Sequence, residues 1–204
     1  MRESKGFLLD LERCVGCGAC VLACRIENQL PDFVSWRRIL PFNIRRNQAG
    51  PTYHFTLACH HCDDPPCARG CPSGALEKRA DGVVVLHEAR CLGCRYCEMA
   101  CPFGAPSYDV ARAVMTKCHL CAPRQEEGRD PACVEACPTR ALRFVREDDV
   151  RTDSGVPERG QVPGFTDPGE AGPNLRMMPP REGIRGARYR SLAERLAGEE
   201  RDHG

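Results

Sequence analysis

The sequence predicts an α+β chain of two small, repeated, cysteine-rich domains followed by an extended irregular C-terminal tail. Three observations carry this. Sixteen cysteines fall between Cys14 and Cys137 in four groups of four, with none spare. Two stretches repeat: "GFLLDLERCVGC" is echoed by "GVVVLHEARCLGC", and "DPPCARGCPSGAL" by "DPACVEACPTRAL". Beyond residue 150 the composition changes, and fifteen of the last 54 residues are Gly or Pro.

Composition narrows the chemistry. A chain of 204 residues makes one or two small domains. Net charge is +1, from 29 basic and 28 acidic residues, which does not suit a nucleic-acid partner. Aromatics are only 6%, so something besides large side chains organises the core. No charged stretch followed by an apolar one marks a secretory signal at the start, which removes the usual setting for a disulfide framework. No apolar run approaches the roughly 20 residues that span a bilayer, so no direct membrane span is expected.

The first group, "CVGCGACVLAC", holds Cys14, Cys17, Cys20 and Cys24. The second, "CHHCDDPPCARGC", holds Cys59, Cys62, Cys67 and Cys71. The third, "CLGCRYCEMAC", holds Cys91, Cys94, Cys97 and Cys101. The fourth, "CHLCAPRQEEGRDPACVEAC", holds Cys118, Cys121, Cys133 and Cys137. Groups one and three read C-x2-C-x2-C-x3-C, the bacterial ferredoxin run for a [4Fe-4S] cluster. Gly16, Gly18 and Gly93 let such a loop turn sharply. A zinc knuckle has no use for a third cysteine two residues on. Groups two and four stretch one gap, with "DDPP" and "APRQEEGRDPA". Both domains are therefore expected to be ferredoxin-like, each with two [4Fe-4S] clusters, four in all.

In a two-cluster ferredoxin the last cysteine of a run ligates the other cluster. Residues 75–79 and 83–87 read as strands around Asp81-Gly82, a strong hairpin signal. That hairpin brings the end of group two beside group three. Groups one and four are then left to pair, with outer strands over 7–11 and 141–145. The alternative, one with two and three with four, stays open at this level. Under the first pairing the ligand sets are Cys14, Cys17, Cys20 with Cys137; Cys59, Cys62, Cys67 with Cys101; Cys91, Cys94, Cys97 with Cys71; and Cys118, Cys121, Cys133 with Cys24. Pro72, Pro102 and Pro138 turn the chain away after three of the closing cysteines. The expected domains are 1–30 with 115–150, and 50–114. Residues 31–49 form an insertion, and 151–204 a tail contacting a partner subunit, with one short helix over "SLAERLAGEER".

Four residues inside the loops are candidates to touch a cluster without binding iron: Arg95, Tyr96, His60 and His61. The loops have their full complement of cysteines, so histidine ligation of the Rieske kind is not expected. Arg13, Arg90 and Lys117 each precede the first cysteine of a group, where a cation favours a more negative cluster. Trp36, the only tryptophan, reads as a packing anchor. No nucleophile or phosphate loop is visible, so the chain by itself is not expected to be an enzyme.

The stretches "CHHCDDPPC", "CPSGAL", "CRYCEMACPFGAP" and "MTKCHLC" resemble the iron–sulfur subunit of dimethyl sulfoxide reductase-type molybdopterin oxidoreductases. Polysulfide, thiosulfate and tetrathionate reductases have similar subunits. The likeness runs over roughly residues 5–146. It implies a four-cluster electron-transfer subunit with group one paired to four and two to three. It also implies two partners, a molybdopterin-containing catalytic subunit and an integral membrane quinone-binding subunit. The location implied is peripheral, through a partner, on the cytoplasmic face or, by co-export, the periplasmic one. Two other readings remain: a free-standing soluble polyferredoxin, and the analogous subunit of a formate dehydrogenase or hydrogenase.

Overall fold

The computed structural model describes residues 5–43, 52–146 and 169–178. Strand β1 (Lys5–Asp10) leads into a loop and then α1 (Ala19–Glu27), the longest described helix at nine residues. Strands β2 (Arg38–Phe42) and β3 (Tyr53–Leu57) pair antiparallel, with Leu40 opposite Phe55. A single helical turn, α2 (Pro66–Arg69), precedes β4 (Leu76–Lys78) and β5 (Val84–Leu86). Next come α3 (Tyr96–Ala100) and the ribbon of β6 (Ser107–Asp109) with β7 (Val114–Thr116). Two short helices follow, α4 (Ala122–Glu126) and α5 (Ala132–Glu135), then β8 (Leu142–Arg146) and β9 (Leu175–Met178).

The predicted outer strands meet. β1 pairs antiparallel with β8, and Leu9 faces Leu142. On its other edge β1 pairs parallel with β9, and Phe7 faces Leu175. β1 is the middle strand of this sheet. Phe7, Leu8 and Leu9 are all buried. A strand covered on both faces reads as a continuous apolar run rather than an alternation. Leu9 is 0% exposed, and truncating such a side chain to Ala costs about 2–5 kcal/mol.

The Asp81-Gly82 hairpin also forms. Gly82 takes φ 83°, Asp81 Oδ1 accepts from the Val83 N–H, and β4 pairs with β5. The regular strands are shorter than expected, but His87 N–H to Ala75 and Arg79 N–H to Val83 extend the pairing at both ends.

Two expectations change. The insertion over 31–49 contains β2, which builds a ladder with β3, while residues 44–51 lie outside the described residues. Within the tail, residues 169–178 are not irregular. They return to the molecule's own sheet, because β1 leaves an apolar edge that Leu175 and Met177 bury against. The remainder of 151–204, including the expected helix, lies outside the described residues.

Thiols pack among apolar side chains in separate core clusters. Phe7, Leu9, Tyr53, Phe55 and Leu142 pack with Cys20 and Cys133, whereas Leu76, Val84 and Met115 pack with Cys67 and Cys97.

Candidate metal centre

All sixteen cysteines are free thiols. They do not stay in their sequence groups. One cavity is lined by Cys14, Cys17, Cys20 and Cys137. A second is lined by Cys24, Cys118, Cys121 and Cys133. The exchange between groups follows from helix geometry. Cys20 and Cys24 lie four residues apart on α1, hence on one face and one turn apart along the axis. Each serves a different cavity. Cys133 on α5 and Cys137 just beyond it repeat the arrangement in the opposite sense.

The other eight thiols mix in the same way. The thiols that act most strongly on Cys62 are Cys59, Cys101 and Cys67. Those acting on Cys97 are Cys91, Cys71 and Cys94. The sets also share packing clusters: Cys20 with Cys133, Cys59 with Cys118, and Cys67 with Cys97. Cys17 and Cys94 are exposed.

These residues fit a sulfur-ligated group, with four thiols lining each cavity. Among the described residues no three His, Cys, Asp or Glu side chains converge on a point that would hold one metal ion. The donors are instead all sulfur, spread around a cavity wall. Burial pushes the Cys24 and Cys67 thiols up to about 12 and Cys97 up to about 11. Such thiols stay protonated unless a metal takes the proton's place. At Cys71 and Cys137 burial raises the thiol too, but hydroxyls of Ser73 and Thr139 and nearby N–H groups outweigh it, and both lie below the ordinary value. Backbone N–H groups of Gly93 and Met115 point at Cys91 Sγ, each at 3.4 Å. Ala105 and Leu142 do the same for Cys101 and Cys137, each at 3.5 Å.

Residues 51–147 match the model of a 4Fe-4S dicluster domain, and residues 5–25 that of a 4Fe-4S binding domain. A chain of the anaerobic dimethyl sulfoxide reductase of Escherichia coli is 45% identical over 163 residues, 76% of this sequence and 80% of its own. The protein belongs to the iron–sulfur subunit family of dimethyl sulfoxide, thiosulfate and tetrathionate reductases. The thiosulfate reductase electron transfer subunit of Salmonella typhi is 38% identical, over 74% of this sequence and 81% of its own. A subunit of the sulfite dehydrogenase of Allochromatium vinosum is also 38% identical, over 75% of this sequence and 74% of its own. Members of the family are electron-transfer subunits of reductases, not the catalytic ones.

In this reductase iron–sulfur subunit the loop candidates have specific partners. His60 is buried, edge-on to Phe103 at 4.5 Å, and burial beside Arg37 and Arg38 lowers it to about 3, so the ring is neutral. His61 Nδ1 accepts the Val84 N–H at 3.0 Å, tying the second loop to β5. Arg95 donates to Glu98 at 2.8 Å and lies over the Tyr108 ring at 5.3 Å. Tyr96 lies over Gly70, where an added Cβ would sit 2.1 Å from the ring. Of the cations before each group, Arg13 and Arg90 face Asp10 and Glu77 at the surface. Lys117 is buried, donating to the carbonyls of Val84 and Cys118. His119 meets Trp36 edge-on at 5.3 Å, and Trp36 donates to Thr116.

One residue had no sequence signal of its own. Arg37, inside "DFVSWRRILPF", is 2% exposed and lines the second cavity beside Cys24, Cys118 and Cys133. Its neighbour Arg38 donates to the carbonyls of Phe103 and Gly104. Two adjacent arginines look alike in sequence, and only the packing separates the buried one.

Proposed function

We propose that this protein is the electron-transfer subunit of a molybdopterin reductase complex and carries four [4Fe-4S] clusters. The ligand sets are Cys14, Cys17, Cys20 with Cys137; Cys118, Cys121, Cys133 with Cys24; Cys59, Cys62, Cys67 with Cys101; and Cys91, Cys94, Cys97 with Cys71. The two cavities each lined by four thiols from distant segments carry this reading. Groups one and four form one ferredoxin-like domain and groups two and three the other, a division supported by the β1–β8 and β4–β5 pairings. When bound, each cluster takes up and releases one electron. The protein holds the thiolates, supplies N–H groups to them and buries most of them.

Cys20 packs in one cluster with Cys133, Cys59 with Cys118 and Cys67 with Cys97, which supports a linear order of the four sets. Exposed Cys17 and Cys94 fall in the first and last sets of that order, which suits hand-over at two ends. One end would meet the molybdopterin catalytic subunit and the other an integral membrane quinone-binding subunit. Among the described residues no helix is long and apolar enough to cross a membrane, which suits a peripheral position.

Anaerobic purification of the full chain tests this. Iron and acid-labile sulfide should each approach about sixteen atoms per chain, four per cubane. Iron near eight, or zinc in its place, would sink the four-cluster reading. A stable monomer that co-purifies with no larger subunit and reduces many acceptors would favour a free polyferredoxin.

A further inference from the structure

Arg37 is a buried cation without a carboxylate. Its guanidinium carbon sits 4.5 Å from the centre of the Phe7 ring, and its Nη1 donates to Thr56 Oγ1 at 3.0 Å. The same Thr56 hydroxyl lies 3.3 Å from Cys20 Sγ, in the set that lines the first cavity. Arg37 also lines the second cavity, with Cys24, Cys118 and Cys133. Its Nε and Nη2 are buried with no hydrogen-bond partner of normal geometry. Arg37 acts on the Cys133 thiol in the opposite sense to burial, which still leaves that thiol raised. Among the described residues no salt bridge reaches this side chain.

An isolated buried charge costs several kcal/mol, and proteins keep one only where a partner charge compensates it. The groups facing Arg37 are thiols or neutral: Cys20 and Cys24 on α1, Thr56 on β3, the neutral His60 ring, Cys118, and Cys133 on α5. Its compensation therefore has to come from anionic sulfur. The guanidinium carries its charge, as an arginine side chain does throughout proteins.

We propose that Arg37 is the shared counter-charge of two neighbouring iron–sulfur groups, the one on the Cys20 side and the one on the Cys133 side, and that it raises the reduction potential of both. Reduction adds one electron to a group and one negative charge beside the guanidinium. No bond forms or breaks and no proton moves. A fixed buried cation favours the more negative state, so it makes these two sites better electron acceptors than they would be without it. This rests on the four-cluster reading above.

The test is a potentiometric titration of the full chain, purified anaerobically and followed by electron paramagnetic resonance, for wild type, Arg37→Gln and Arg37→Lys. In Arg37→Gln the reduced-to-oxidised ratio of two of the four clusters should fall about tenfold at fixed ambient potential, a drop of about 59 mV for a one-electron couple. The other two should hold, and Arg37→Lys should recover most of the loss. Four unchanged potentials in Arg37→Gln overturn the proposal, as does an equal drop in the Lys variant. If the Gln variant does not load iron, the Lys variant decides. Loading with both potentials held supports the charge role, and loss of iron there too assigns Arg37 to packing and overturns it. A wild type without four titrating clusters would instead overturn the four-cluster reading.

Discussion

Arg124 Nη1 donates to Glu27 Oε2 at 2.7 Å, across 97 residues of sequence. Its Nη2 donates to Glu135, and its Nε to the Asp130 carbonyl at 2.9 Å. One buried guanidinium on α4 thus fastens α1 to α5. Those two elements carry Cys20, Cys24 and Cys133, and the turn after α5 carries Cys137. Their relative placement decides whether four thiols can face one cavity.

Replacing Arg124 with Ala should destabilise the protein by about 2 kcal/mol. The figure sits below the roughly 3–5 of a fully buried pair because the partner carboxylates are 32% and 44% exposed. Thermal unfolding checks it. The effect should depend on pH. Arg124 hydrogen-bonds Glu135 and holds its carboxyl below its ordinary value of 4.5. That contribution is full above 4.5 and is lost as pH falls through the lowered folded value. The gap between wild type and variant should therefore narrow as the medium is taken from pH 7 to below 4. A gap that widened on the acid side would contradict the assignment.

Three glycines with positive φ should rank in their cost of replacement by Ala. At Gly93, φ +65°, an added Cβ would sit 2.4 Å from the Ala113 carbonyl oxygen, which is backbone and cannot swing away. At Gly16, φ +67°, it would meet the His54 ring at 2.5 Å, and that side chain can rotate. At Gly74, φ +63°, nothing lies within 4 Å, leaving only the left-handed backbone cost of about 1–2 kcal/mol. Iron content and melting temperature should fall in the order Gly93→Ala, Gly16→Ala, Gly74→Ala, with the first the most damaging. Equal losses at all three would show that crowding adds nothing to backbone strain.

Much of the arrangement was legible because its signals are local. The interval of four between Cys20 and Cys24 fixes both on one helix face whatever the rest of the fold does. Asp81-Gly82 specifies its hairpin within a few residues, and the repeat of "GFLLDLERC" in "GVVVLHEARC" announces matching strands. What was not legible depends on distant partners. "LRMM" at 175–178 sits in a Gly- and Pro-rich stretch, and its strand exists because β1 leaves an edge open at the other end of the chain. Arg37 carries the same ambiguity. A lone arginine beside Trp36 and Arg38 reads as a surface charge until four thiols from three segments are seen around it.

The returning segment gives the last prediction. Asn174 is buried, and its side chain donates to the His61 carbonyl at 2.8 Å and to Asp63 Oδ1 at 3.0 Å. Its own N–H reaches the His60 carbonyl at 2.9 Å, and Asp63 N–H reaches the Gly172 carbonyl at 2.8 Å. Ala171, 2% exposed, packs with Cys62 and Phe103. The strap therefore closes the second cysteine loop against solvent while β9 completes the sheet on β1. Asn174→Ala removes both side-chain bonds, but the His61 carbonyl keeps Lys78 Nζ at 2.7 Å and Asp63 is exposed, so the cost should be about 1 kcal/mol. Truncation after residue 168 should do more, since it uncovers both the β1 edge and Cys62. Under air the truncated protein should lose iron faster than wild type, and it should be cut sooner by protease near residues 59–64. A truncated protein with unchanged iron retention and melting temperature would show that the strap seals nothing.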